Sequence, residues 1–424
     1  MSHRTRRSVV VILCAWGVLA MVVTWLAIPR AARADGLDIH FDDIANLAQE
    51  RSPRARMLEQ RLAALRGERD EDTQWSNPWI AYDHEEYDPI REWQVVLGKE
   101  FVLPFATGKK GDGWEQRVRA GELLYEQESA DLVAELRSGY VRLQLLDAYL
   151  VRLEQLREIV TSAAASAVEQ HSEGTLSGVE RHLILLSAVS IDASRRTALS
   201  TRGTLAAAWK ADMGIAPGAE VTLATPIGFK SATLASTNEY IALFEQRPAV
   251  RSRMELQEAL GTLAEAASPS LVPGFDLYAG YRHIEPLLEG FVGGVSLSLP
   301  LFDRKGGTAQ RLSAEQRAAE SALVRFRSQA GGEIQVLVDV IEDAARVMET
   351  IAPELDAGAP VIGSLHQSYT EGFIDLNDFL TAIQIEVTGY RDYYDQLTTY
   401  YANVFRLEAM AGTELVSFTP QEDR

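Results

Sequence analysis

The densest group of metal-ligand residue types in this 424-residue chain is Asp83-His84-Glu85-Glu86, with Asp88 just beyond. Carboxylates and imidazole together can hold a divalent cation. The group lies in a stretch with strand character, where successive side chains point to opposite faces. The five cannot all converge on one ion, so a polar connection at the end of a strand pair is expected instead. His171 and His182 are scattered. The Gly-Gly pairs at 293–294, 306–307 and 331–332 lack the context of a phosphate loop, and no HExxH or nucleophile elbow is present. The sequence therefore points away from an enzyme, and no catalytic residue, metal site or cofactor is expected.

The elements that carry these residues begin after a distinct N-terminal segment. Arg4, Arg6 and Arg7 precede an apolar run from Ser8 to Ile28, and Ala32-Arg33-Ala34 is a small-x-small site before Asp35. This is the pattern of a signal peptide over 1–34. The only cysteine, Cys14, falls inside it, after Ile12 and Leu13 rather than the small residues a lipidation site needs. The mature chain is thus expected to hold no disulfide and no cysteine metal site. Removing five arginines leaves 36 basic residues against 60 acidic ones. That balance disfavours nucleic acid and anionic headgroups and suits cations or basic surfaces; simple solubility explains it equally well. No later apolar run is long enough to span a bilayer as a helix, so any membrane crossing must use β-strands in a closed barrel.

The mature chain reads as two copies of one unit. Arg51-Ser52-Pro53, Asn77-Pro78, Leu103-Pro104-Phe105, Glu173-Gly174 and Met213-Gly214 return in order as Gln246-Arg247-Pro248, Val272-Pro273, Leu299-Pro300-Leu301, Glu371-Gly372 and Ala411-Gly412. The first copy is placed at 35–230, with strands at about 79–103 and a helical hairpin at about 105–213. The second is placed at 231–415, with strands at about 274–299 and a hairpin at about 304–411. A tail occupies 416–424. In the last strand Val295, Leu297 and Leu299 alternate with Gly294, Ser296 and Ser298. In its partner Phe275, Leu277, Ala279 and Tyr281 alternate with Asp276, Tyr278, Gly280 and Arg282. One apolar and one polar face suits a barrel wall, or the edge of a soluble sheet.

The segment from about 112 to 170 carries Leu136, Leu143, Leu146, Leu150, Leu153, Leu156 and Val160 at coiled-coil spacing. Such a helix is on the order of 90 Å long. Gly174 and Gly372 are expected at tight turns between antiparallel helices, and Pro353 and Pro360 are expected to break or kink the second long helix. Four strands are too few for a membrane barrel, so one requires assembly of several chains.

This arrangement resembles the TolC-like outer-membrane efflux proteins. The residues that carry the resemblance are Gly294-Val-Ser-Leu-Ser-Leu-Pro-Leu-Phe-Asp303, Ser368-Tyr-Thr-Glu-Gly-Phe-Ile-Asp-Leu-Asn-Asp-Phe-Leu380 and a Tyr-rich helix ending at Ala411-Gly412. Ser76-Asn77-Pro78 and Phe101-Val-Leu-Pro-Phe-Ala-Thr-Gly-Lys-Lys110 look like the heavy-metal branch. The resemblance implies a mainly helical, mixed α/β membrane protein and a homotrimer. Its twelve-stranded barrel would sit in outer-membrane lipid, continuous with a helical tunnel in the periplasm. It also implies a periplasmic adaptor and an inner-membrane transporter of the RND type as partners. The cargo would be heavy-metal cations, or else drugs or secreted proteins. A periplasmic coiled-coil adaptor or scaffold is a rival reading, disfavoured by two equivalent hairpins.

The resemblance further implies a periplasmic gate at the helical turns. Family members carry acids six and nine positions after the turn glycine. Asp378 fills the first place, Thr381 stands in the second, and Asp375 is near enough to substitute. Tyr369 matches a bracing position of the closed tip. Glu180 matches a bracing acid whose basic partner would fall at Ile374, so that ionic brace is missing. Helix-start acids favoured by the dipole are the plainer account of Asp375 and Asp378, and a solvated surface carboxylate that of Glu180.

Overall fold

The computed structural model describes residues 37–101, 104–267, 274–285, 288–298 and 306–418. The segment 1–34, the Val272-Pro273 and Leu299-Pro300-Leu301 boundaries, and the tail beyond Phe418 lie outside the described residues. The described chain is mainly helical. Strand β1 (Leu37–Ile39) and a 3-10 turn (Phe41–Asp43) lead into α1 (Ile44–Arg51) and α2 (Pro53–Thr73). Strands β2 (Trp79–Tyr87) and β3 (Ile90–Phe101) follow, then the hairpin of α3 (Pro104–Ser172) and α4 (Gly178–Asp212). The same order then recurs: β4 (Val221–Leu223), α5 (Thr237–Glu245), α6 (Pro248–Ala266), β5 (Gly274–Glu285), β6 (Leu288–Ser298), α7 (Gly306–Thr370) and α8 (Leu376–Ala411).

The first long helix begins at Pro104, next to the hairpin start expected near 105 and ahead of the coiled-coil stretch expected from about 112, and carries Gly108, Gly111 and Gly113 within it. Tertiary contact overrides the poor helix propensity of glycine. A side chain at Gly113 would collide with Leu263 of α6, and one at Gly121 with Leu65 of α2. Trp114 beside them is buried and donates its indole N–H to Asp72 at 2.6 Å. The break expected at Pro353 and Pro360 does not occur. Helix α7 runs unbroken through both, because each proline removes only one backbone bond from a helix held along its length by α8. Ser52 separates α1 from α2: its hydroxyl accepts from the N–H groups of Arg54 and Ala55 and caps α2.

Strands β2-β3-β5-β6 form one antiparallel sheet in that order. Its register sorts the residues into two faces. Leu97 pairs with Ile80 and Ala279, Val95 with Tyr82 and Tyr281, and Phe275 with Phe101 and Leu297, all on one face. Leu277, Phe291 and Val295 extend it, and Lys99 is its one charge amid these rungs. Phe291 is 95% exposed and Ile80 is 73% exposed. The opposite face carries Glu100 beside Asp276 and Ser296, and Asp83 beside Gln94 and Arg282. Glycines 98, 280, 290 and 294 stand on this polar face, with the rings of Trp79 and Tyr278 against Gly98 and Gly294. A face poor in side chains is the one toward which a sheet can curl.

Below the sheet, α2-α3-α6-α7 pack side by side, and nearer the turns α4-α3-α8-α7 do the same. Between these zones the short parallel pair β1-β4 and an extended stretch of 224–235 cross the helices. Three tyrosine hydroxyls satisfy that backbone. Tyr140 accepts from Thr225 N–H at 2.9 Å and donates to Ile39. Tyr400 accepts from Ala232 N–H and donates to Lys230. Tyr401 accepts from Lys230 N–H at 3.0 Å and donates to Gly228 at 2.6 Å. The largest buried apolar cluster gathers here around Phe41, Tyr140, Trp209 and Phe405. A second cluster, with Leu153, Ile184, Phe379 and Ile383, runs down the hairpins to the turns. No helix among the described residues is long and apolar enough to cross a membrane.

Candidate functional site

The two hairpin turns share one backbone design. Gly174 and Gly372 have φ of 78° and 79°, a left-handed conformation that favours glycine. Thr175 and Leu176 N–H groups both reach Gln170 O, and Phe373 and Ile374 N–H groups both reach Ser368 O. These bonds satisfy the last carbonyls of α3 and α7 in the same register.

The turns differ in how the return helix starts. In the first, Ser177 is the N-cap and Glu180 stands three residues on. The Ser177 hydroxyl accepts from Glu180 N–H at 3.2 Å, and Glu180 Oε2 accepts from Ser177 N–H at 2.9 Å. This is a complete capping box. The bonds to Ser177 hold the Glu180 carboxyl below its ordinary pKa. In the second turn Asp375 is the N-cap and accepts from Asp378 N–H at 2.8 Å. Nothing reciprocates: among the described residues the Asp378 carboxylate has no hydrogen-bond or ionic partner, and it is exposed. An aspartate at this position is one methylene too short to reach back over the turn.

Tyr369 of α7 is half-buried and stacks on Phe379 of α8, with centroids 5.1 Å apart. Burial raises its phenol pKa, and the charge of nearby Glu180 adds to this. The fold thus brings Tyr369 and Glu180, from different hairpins, into one neighbourhood. Ile374 joins the apolar cluster at the turns. Ser162 of α3 meets His366 of α7 at 3.1 Å. Residues 169–182 and 366–378 hold six carboxylates and one arginine. The role assigned to Glu180 by resemblance missed its capping partner, although Ser177-x-x-Glu180 is a readable signal for the pair.

At the far end of the molecule, Asp83 and Glu85 lie on the polar face of β2, and His84 and Glu86 on the other. Asp83 accepts from Gln94 Nε2 at 2.9 Å. No three potential ligands converge on a metal-sized space among the described residues. His171 Nδ1 sits 2.9 Å from Leu176 O, within its own turn.

A sheet with an exposed apolar face, set above helices about 100 Å long, is a fold this chain shares with solved outer-membrane channels. The outer-membrane channel OprN superimposes with a TM-score of 0.72 and 14% identity, over 89% of this chain and 91% of OprN. The Campylobacter jejuni outer-membrane channel CmeC gives 0.73 and 13%, over 88% and 85%. The Vibrio cholerae outer-membrane protein VceC gives 0.69 and 14%, over 88% and 96%. No protein-family model and no curated protein matches the sequence.

Proposed function

We propose that this protein is the outer-membrane exit duct of a tripartite efflux pump, a passive conduit and not an enzyme. The observation that carries this reading is that each layer is unfinished in the same way. Among the described residues the sheet ends on the unpaired edges of β2 and β6, and the lower helical layer ends on α4 and α7. A strand edge cannot stay unpaired in lipid. Since β2 and β6 run in opposite directions, β6 of one copy can pair antiparallel with β2 of the next. Three copies give a twelve-stranded barrel over a twelve-helix tunnel. Strands of 9 to 12 residues suit a tilted bilayer crossing. The apolar face then meets outer-membrane lipid, and the polar, glycine-bearing face lines the lumen.

In this reading residues 1–34 are a cleaved signal peptide, 35–230 and 231–415 are tandem copies, and 416–424 form a tail. The turns face an adaptor and an inner-membrane transporter of the RND type. Asp378, with Asp375, Tyr369 and Glu180 around it, forms the gate. Threefold symmetry converts the unpartnered Asp378 into three facing charges, a means of admitting cations. Together with the acidic mature chain, this favours heavy-metal cations as cargo.

Deletion of the gene, with fractionation of the complemented strain, tests the proposal. Outer-membrane location with sensitivity to zinc, cobalt, cadmium, copper or silver is the expected result. Outer-membrane location with sensitivity only to drugs or detergents keeps the duct and removes the metal cargo. A soluble periplasmic protein overturns the channel.

A further inference from the structure

A cleft of about 330 Å³ opens where the end of α8 and the start of α6 meet against α3. Arg137 of α3, Arg247 before α6, Glu408 of α8 and the stretch Gly412-Thr413-Glu414 line it. Arg247 is an unexpected residue for its place. It is the N-cap of α6, yet its side chain makes no cap bond, and no acid stands in the first turn. Small polar residues are preferred at an N-cap, and a cation at the positive end of a helix is unfavourable. The helix α2 holds the same place in the first half of the chain, and there Ser52 is the N-cap and makes the bonds. A residue that breaks a local rule is expected where a site has another task.

Gly412 shows what that task requires. A side chain there would collide with the Arg247 guanidinium. At Gly214, after α4, a side chain would instead meet the Arg51 backbone and the Pro53 ring. The bare Gly412 thus makes room for a guanidinium against the end of α8, where its Nη2 donates to Ala409 O at 3.5 Å. The second cation, Arg137, lies over Phe41 with its guanidinium carbon 5.2 Å from the ring centroid. The Nε groups of both arginines are buried and have no hydrogen-bond acceptor among the described residues. A buried donor on a charged group is costly to leave unpaired.

The carboxylates at the cleft do not meet this demand. Glu408 stands 3.9 Å from Arg137. Its Oε1 already accepts from Leu415 and Val416 N–H groups, and burial favours its neutral form. Glu414 is exposed, so water screens its charge. Asp131, which feels the charge of Arg247, accepts from Gln127 and lies 3.9 Å from Arg406. A chain with 60 acids against 41 bases could easily supply Arg247 with a carboxylate, and among the described residues none forms an ion pair with it.

We propose that this cleft binds a small free oxyanion, of the phosphate or sulfate class, between the guanidinium groups of Arg137 and Arg247. Guanidinium N–H groups match the oxygens of such an ion, and the Thr413 hydroxyl can donate a further bond. The positive end of α6 adds to the attraction. The bound ion ties α3 to the start of α6 and to the end of α8. It thereby steadies the zone where the upper and lower helical layers meet.

The full chain, purified in detergent, tests this in chloride buffer of fixed ionic strength near neutral pH. Inorganic phosphate is titrated in, with melting followed by tryptophan fluorescence and binding by calorimetry. The parent should show a saturable rise in melting temperature, as a ligand of the folded state produces, and sulfate should do the same. Arg247→Ser gives α6 the cap that α2 has. It should melt above the parent without phosphate and bind phosphate about 10- to 100-fold more weakly. Arg137→Gln should also lose the response, whereas Arg54→Gln, which removes an ion pair with Glu135 elsewhere, should keep it. No saturable shift in the parent overturns the site. A shift of the parent's size in both Arg247→Ser and Arg137→Gln overturns it too, because phosphate then acts elsewhere. Either failure leaves the exit duct standing, since the cleft does not depend on it.

Discussion

The Asp375 carboxylate accepts the backbone N–H of Asp378 at 2.8 Å, and the Asp378 carboxylate returns no bond. At the corresponding place in the first hairpin, Glu180 closes the box with Ser177 in both directions. Two turns with the same backbone therefore spend their acids differently. One is consumed by the helix start, and the other remains free at the tip.

Asp378→Ala is expected to weaken block of single-channel current by multivalent cations in planar bilayers, because it removes one free charge from each copy. Asp378→Glu is expected to complete the second capping box and to raise stability by about 0.5–1 kcal/mol. Unchanged block in Asp378→Ala takes this residue out of the gate.

Gly372 has open space around it, so its requirement is a matter of backbone and not of room. Gly372→Asn is expected to be tolerated, since asparagine visits φ near 79°. Gly372→Val is expected to lower stability by about 1–3 kcal/mol. Equal melting temperatures for the two variants would show that the turn relaxes to another conformation.

Leu97 sits on the apolar face of the central strand β3, and Ser296 on the opposite face of β6. If the apolar face meets lipid, Leu97→Arg should cost about 2–4 kcal/mol and reduce the heat-resistant oligomer on gels. Ser296→Lys should leave it intact. The reverse ranking would invert the barrel.

Tyr401 ties the crossing segment to α8 by two hydrogen bonds, and its burial raises the phenol pKa. Tyr401→Phe leaves Lys230 N–H and Gly228 O without this partner, at about 1–3 kcal/mol for each group that stays dry. Denaturant unfolding should show a lower midpoint. An unchanged midpoint means that water enters and replaces the hydroxyl.

Glu408 is buried near Arg137 and accepts from Leu415 and Val416 N–H groups. Burial pushes its carboxyl above the ordinary 4.5, and those partners pull it only partly back. The folded chain therefore keeps this proton to higher pH than the unfolded chain. The stability it contributes is complete below 4.5 and is lost as pH rises through the raised value. Glu408→Gln removes the titration and keeps an acceptor. Its melting temperature should gain on the parent's as pH rises from 4.5 toward neutrality; a constant difference would mean that Glu408 does not set this slope.

Several elements were legible in the residues. Alternation along Phe275–Tyr281 and Gly294–Ser298 placed β5 and β6, and the leucines at heptad spacing placed α3. Gly174 and Gly372 marked the turns. Other elements are set by contacts between distant segments that outweigh local preference. The coiled-coil spacing marks α3 only from about 112, yet the helix starts at Pro104, and the missing side chain of Gly113 lets Leu263 of α6 approach it. Pro353 and Pro360 looked like breaks, yet α8 holds α7 in line. Strands β1 and β4, only three residues each, carry no periodic signal of their own. They exist because the two segments meet over Tyr140.

The sequence by itself determined the coiled-coil stretch of α3, the long strands, the two hairpin turns and the two-faced character of β5 and β6, because these follow from periodicity and from glycine's backbone freedom within a few residues. It also determined that Asp375 and Asp378 stand together at a helix start. Only the tertiary structure decided that Tyr369 and Glu180 share one neighbourhood and that β2 and β6 are the edges of the sheet. Those are properties of which surfaces meet, and they depend on distances between residues that lie hundreds of positions apart in the chain.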